Sequence, residues 1–327
     1  MSFLSRPPIG ATLARALAPP GHDRAMPGIP APPAGDLPYW PDAGAPVLVT
    51  GSSGLLGARV AARLGARRGI DLRPGPWTSA VGSVLDRRLL AEATAGIDAV
   101  IHLAGLHAPD VGRASAADFH AVNVDGTAAV LEAARRAGAR RFVLASSTSV
   151  FGAAMARPGT AVHVTEALQP IPRDVYDETK LEAERLVLAA DGAFPGGTAV
   201  LRLARCFPEP PRLRVWHRFW RGLSAADAAR ALVRATRVSA GGVFVIAART
   251  RLRPEDADDL ARDPLAVLAR RHPALDWAPE RWGDLAAAGI DRIYDARLAA
   301  ARLGFVTRHD GESWHERAER TRRPAQP

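Results

Sequence analysis

The segment that most constrains this chain is an apolar triplet running straight into a glycine-rich turn. Val47-Leu48-Val49 reads as a buried strand, and Gly51, Gly54 and Gly57 follow at three-residue spacing. The stretch from Ala58 to Arg67 then reads as a helix. In this position small residues have a physical use. The turn is tight, the backbone must approach a ligand closely, and the helix N-terminus beyond it is an anion site suited to a pyrophosphate. Leu55 and Leu56 complete the turn. A glycine turn serving only chain reversal is the competing explanation.

The same grammar continues downstream. Ile70–Leu72, Ala99–Ile101, Arg141–Ala145, Ala199–Leu201 and Val243–Ala247 read as short buried strands. Between them, Phe119–Ala137, Tyr176–Ala190 and Ala225–Thr236 read as helices. Short apolar runs alternating with longer helical patterns predict a parallel sheet covered on both faces. Asp71 lies twenty residues past Gly51. A carboxylate there binds both hydroxyls of an adenosine ribose and repels a 2′-phosphate, which favours NAD over NADP; Arg73, two residues on, is the one nearby group able to meet an added phosphate.

Tyr176 and Lys180 stand four residues apart, on one face of a helix. A phenol is a poor base at neutral pH, and a neighbouring ammonium is expected to lower its pKa. Composition sharpens this reading: of 43 basic residues Lys180 is the only lysine. A guanidinium, planar and larger, does not replace a compact three-donor ammonium. Ser146-Ser147-Thr148-Ser149 follows the Arg141–Ala145 strand, at the end of the sheet where such folds bind ligands.

In combination these motifs resemble the extended short-chain dehydrogenase/reductase family, the NAD-dependent epimerases/dehydratases. Thr50–Gly57 is similar to its T-G-x-x-G-x-x-G turn, His102-Leu103-Ala104-Gly105 to its H-L-A-A, and Asn123–Thr127 to its N-V-x-G-T helix. Ser146–Gly152 is similar to S-S-x-x-V-Y-G, with Phe151 for the tyrosine. The resemblance implies catalytic roles for Ser147, Tyr176 and Lys180. It also implies cofactor contacts from Ser83 and Val84, Leu103, Ala104 and Gly105, and Asn123, with Tyr176 and Lys180 adding to them. Ser83 replaces an aspartate, and Arg205 an asparagine that often touches sugar substrates. Cys206-Phe207-Pro208-Glu209-Pro210, with Arg214 beyond, is more similar to the uronate dehydrogenase branch, where an arginine clamps a sugar carboxylate. Arg205 and Arg214 are therefore the candidate substrate residues.

The fold implied is a Rossmann-type doubly wound parallel sheet, order 3-2-1-4-5-6-7, with a smaller C-terminal substrate lobe. The expected division is a Pro/Ala-rich disordered tail over 1–45, an NAD-binding domain over 46–201, a substrate lobe over 202–316 and a tail over 317–327. The strand at 242–248 is expected to return to the main sheet. The implied reaction moves a hydride between NAD and a secondary alcohol of a sugar or nucleotide sugar. A uronate or aldose dehydrogenase that releases NADH is the alternative, and a non-catalytic NAD(P)-sensing protein is the alternative of another class.

Net charge is +9, with nine arginines against two acids between Arg202 and Arg237. Without an aromatic-and-basic motif or zinc finger, that excess points to an anionic small-molecule substrate or a plain solvated face, and no nucleic-acid partner is expected. No apolar run is long enough for a membrane span. The single cysteine, Cys206, excludes an internal disulfide framework and is expected to be a buried packing residue. Leu13–Leu17 carries Arg15 and is too short for a secretory core, so a cytoplasmic location is expected. The histidines lack ligand spacing, and no metal is expected. By the family resemblance, the two long helices are expected to pair in a homodimer.

Overall fold

The structure, a computed structural model, describes residues 46–65, 68–313 and 315. The two terminal tails expected from the sequence lie outside the described residues. One seven-stranded sheet contains β1 (Val47–Thr50), β2 (Arg68–Asp71), β3 (Ala80–Val81), β4 (Ala99–His102), β5 (Arg141–Ser147), β7 (Thr198–Leu203) and β8 (Gly242–Ile246). Its order is β3-β2-β1-β4-β5-β7-β8. β6 (Val162–Val164) and β9 (Arg292–Tyr294) form a separate parallel pair, so the main sheet keeps the expected 3-2-1-4-5-6-7 winding. β8 pairs parallel with β7, from Ala199 opposite Gly242 to Leu203 opposite Ile246. β3, only two residues long, carried no apolar run to announce it.

The chain packs as two compact units. One comprises residues up to Leu144 with Glu182–Thr198; the other comprises Ala145–Leu181 and everything from Ala199 onward. The chain thus passes between the units at three points.

In the first unit, the helix after the glycine turn, α1 (Leu55–Leu64), begins three residues earlier than the periodicity suggested. Gly65, in the left-handed conformation, ends it by donating to the carbonyls of Ala61 and Ala62. α2 (Arg87–Thr94) is capped by Asp86, whose carboxylate accepts from the Arg88 and Leu89 amides. The expected helix over 119–137 resolves into α3 (Ala116–His120), a π-helical turn (Ala121–Asp125) and α4 (Gly126–Arg136). The wider turn lets the buried Asn123 side chain leave the helix and meet the backbone of Leu106, accepting from its N–H at 2.8 Å and donating to its carbonyl at 3.2 Å.

The second unit holds α5 (Val175–Ala189) through Leu181, α6 (Pro211–Arg218), α7 (Ala225–Ala235), α8 (Ala257–Arg262), α9 (Pro264–Arg271), α10 (Pro279–Ala286) and α11 (Arg297–Leu303). Its core is aromatic. Trp216 stacks on Trp282 at 6.2 Å and Phe219 meets Trp277 edge-on at 4.8 Å. Trp216 and Trp220 are both packing residues of this core. Among the described residues no helix is long and apolar enough to cross a membrane.

Asp227 is fully buried in this unit and ties α7 to the 307–310 segment. Its carboxylate accepts from the Arg308 and His309 amides at 3.1 and 2.9 Å, from Ser224 at 2.9 Å and from Arg230 at 2.6 Å. Burial would raise its pKa, but the hydrogen bonds from His309 and the Arg308 amide dominate and hold it below the ordinary aspartate range. Asp227→Asn is expected to cost about 3 kcal/mol, because charged donors lose their acceptor in a dry site. The native pKa is depressed, so the aspartate's contribution is present above the unfolded value and fades as pH falls through the native one. Urea unfolding at about pH 7 and about pH 3 is expected to show a wide gap between wild type and variant at the higher pH and a narrower one at the lower.

Candidate active site

The first unit builds a cradle around the glycine turn. Gly51 sits at φ +72°, and a Cβ there would lie 2.9 Å from the Ala104 amide nitrogen. A Cβ on Gly57 would overlap the Gly51 carbonyl oxygen and lie 2.7 Å from its carbon. Gly54 caps α1 with no side-chain acceptor, so the first amides of the helix face outward to a ligand. Below the turn, Thr50 Oγ1 accepts from the amides of Leu103 and Ala104 and donates to His102 Nδ1 at 2.6 Å. His102 Nε2 donates to Thr127 Oγ1, which in turn donates to the Asn123 carbonyl at 2.6 Å. This chain of donors sets the neutral Nε2–H tautomer and fixes the Leu103–Ala104 backbone beside Gly51. The side chain of Asn123 is occupied by Leu106, so in this structure it positions the loop after β4.

At the end of β2, one Asp71 oxygen accepts from the Ser53 amide at 3.0 Å and the other from the Arg73 amide at 2.9 Å. Each oxygen keeps a lone pair for a further donor, as two vicinal ribose hydroxyls require. Ser53 Oγ donates to the Arg73 carbonyl, so the strand end and the glycine turn are bound together. The exposed Arg73 side chain lies on this same loop. Ser83 accepts from the Leu85 amide within its own turn, and Val84 is buried. The residues of the cradle therefore fit NAD: an anion-ready helix end, a close backbone approach and a two-oxygen ribose acceptor.

The three expected catalytic residues all lie in the second unit. Ser147 ends β5, and its Oγ accepts from the Ser149 amide at 3.1 Å. The Tyr176 hydroxyl is hydrogen-bonded to the side chain of Ser147. One helical turn on, Lys180 Nζ donates to the Ala145 carbonyl at 2.8 Å. Tyr176 departs from expectation in one respect. Burial pushes its pKa up to about 12, and the Ser147 hydrogen bond opposes that rise without overcoming it. Desolvation therefore outweighs the hydrogen bonding that favours the phenolate.

The arginine cluster disperses. Arg202 is buried, with its guanidinium 4.6 Å from the Phe151 ring centroid. Arg212 pairs with Asp284. Arg218 is buried, donates to the Arg205 carbonyl at 3.3 Å and is lowered to about 10 by desolvation. Arg205 pairs with Glu209 at 2.5 Å, and Glu209 also bonds His217 Nδ1 at 2.7 Å. Burial raises the Glu209 pKa, but His217 and Arg205 outweigh it and hold the carboxyl at about 2. Glu209 is thus a positioning acid that sequence reasoning passed over. Its signal was a carboxylate between two prolines with a histidine eight residues on. Arg214 is half-buried on α6. Cys206 is also half-exposed, contrary to the buried packing role expected of it.

A doubly wound parallel sheet that opens on such a glycine turn defines a dinucleotide-binding class of fold. The NAD dependent epimerase/dehydratase family matches residues 47–214, half of the chain, and the chain belongs to that family. Human 3 beta-hydroxysteroid dehydrogenase type 7 is 38% identical over 170 residues, 44% of this chain and 44% of that protein. The chain thus spans less than half the length of this relative. Among solved structures, MoeE5 in complex with UDP-glucuronic acid and NAD is 25% identical, with a TM-score of 0.59 over 85% of this chain and 100% of that one. Uronate dehydrogenase from Agrobacterium tumefaciens, 22% identical with a TM-score of 0.58, covers 86% of this chain and 91% of its own, and shares the fold.

Proposed function

We propose that this protein is an NAD-dependent oxidoreductase that moves a hydride between the cofactor and a hydroxyl-bearing carbon of an anionic sugar. The observation that carries this reading is the Tyr176 hydroxyl bonded to Ser147, with Lys180 one turn along the same helix. Gly51, Gly54, Gly57, Asp71 and the Leu103–Gly105 backbone hold NAD, which when bound supplies the hydride acceptor and a positive nicotinamide ring. Tyr176 takes the hydroxyl proton of the substrate as general base, and Ser147 donates to the oxygen as charge develops there. Lys180 holds the Tyr176 end of the helix against Ala145 and provides the local positive charge. Burial pushes the Tyr176 phenol up while Ser147 opposes the rise, so its base form depends on positive charge beside it.

Charge supports the anionic substrate. Arg214, half-buried on α6, takes the carboxylate-clamp role that the resemblance to uronate dehydrogenases implies. UDP-glucuronic acid in MoeE5 supports the same class. A second reading, oxidation of a neutral hydroxysteroid, is favoured by the human relative. The test is a screen of uronates, nucleotide sugars, neutral aldoses and 3-hydroxysteroids for reduced nicotinamide and for epimerised product. Uronates or their nucleotide-linked forms are expected to turn over best. Arg214→Ala is expected to raise KM for them by about a hundredfold, and Arg205→Ala by less. Turnover confined to hydroxysteroids and unaffected by either change would establish the second reading.

A further inference from the structure

We propose that the second unit carries a further binding site, for an amphipathic organic anion, in the cavity between the loop after β8 and α11. The cavity encloses about 700 Å³, a size suited to a small ligand. Ser147, Tyr176, Lys180, Arg205 and Arg214 take no part in its walls. Its floor is apolar: Ile246, Leu252, Ile293 and Phe305 are each at most 6% exposed. Val306, half exposed, carries that apolar surface out to the mouth.

The rim is cationic. Arg249, Arg251, Arg253 and Arg297 line it with their guanidinium groups largely in solvent. The carboxylates that pair with the first three, Asp310, Glu312 and Glu255, stand outside the lining. Among the described lining residues Asp295 is the one carboxylate, and it is taken up by Arg297 and by His163 at 3.3 Å. Arg270 and Arg271 also line the cavity; both pair with Asp256, and each reaches one further acid, Asp259 and Glu255 respectively, that stands outside the lining. Exposed ion pairs of this kind are weak, and each guanidinium has further N–H donors for an incoming carboxylate or phosphate.

The floor selects the body of that ligand. Thr307 Oγ1 accepts from the Arg249 amide and Thr250 Oγ1 from the Leu252 amide, so both hydroxyls brace the wall. Tyr294 donates to the Met155 sulfur. A polar base would find little to read its edge, whereas an alkyl or aryl body would be buried against aliphatic side chains.

The test is calorimetric titration of the full chain with octanoate, with octanol and acetate as probes lacking the charge and the body respectively. Octanoate is expected to bind at one equivalent, and each comparison probe at least about tenfold more weakly. The exposed double variant Arg251→Gln/Arg253→Gln is expected to lose about tenfold in octanoate affinity. Ala300→Trp, which fills the cavity from a half-exposed position, is expected to abolish binding while NAD affinity stays unchanged. Tyr176→Phe is expected to bind octanoate as wild type does. No octanoate binding, equal binding of acetate or octanol, insensitivity to the rim and filling variants, or loss in Tyr176→Phe would each overturn the proposal.

Discussion

Tyr176→Phe is expected to lower kcat/KM by about a thousandfold while leaving NAD affinity within a factor of about two, measured by steady-state rates and by quenching of protein fluorescence. The substitution removes one oxygen from a side chain that is 7% exposed, so the packing of α5 survives it. What would be lost is the proposed proton acceptor and the hydrogen bond to Ser147. A phenylalanine variant that turns over like wild type would remove Tyr176 from the chemistry.

Gly57→Ala has the second large effect. The new methyl group would overlap the Gly51 carbonyl oxygen, which is backbone and has no rotamer to yield. Either α1 shifts away from the turn or the turn opens. Both moves would disturb the helix end proposed to hold the pyrophosphate. The cost is expected to be about 3 kcal/mol of stability, measured by urea unfolding, and NAD affinity is expected to fall by about a hundredfold. Gly65→Ala serves as the control. Its Cβ would meet open space, so the change strains only a positive φ and leaves NAD affinity as it was.

The cofactor cradle was legible in the sequence because its determinants are local. Glycine spacing, a flanking strand and an acid at the next strand end are each visible within a few residues, and the structure joins Gly51, Ser53 and Asp71 as that pattern requires. The Tyr176–Lys180 pair was legible for the same reason. The pKa of Tyr176 was not, because desolvation depends on what packs around the ring and not on the offset to a lysine. The partners of the arginine cluster were not legible for a similar reason. Five cations close in sequence are distributed by Phe151, Asp284, Glu209 and the protein interior, partners contributed by tertiary structure. Asp227 announced itself weakly, as Ser224-x-x-Asp227 at a helix start, but its grip on the 307–310 segment spans about eighty residues and leaves no local trace.

The most direct test of hydride transfer uses a substrate from the screen carrying deuterium on its reacting carbon. After incubation with NAD and enzyme, the nicotinamide is examined by mass spectrometry and proton NMR. The account predicts deuterium at the nicotinamide C4, on one face only, formed by wild type and absent with Tyr176→Phe. Product formation in which the label is lost to solvent and never reaches the nicotinamide would contradict it.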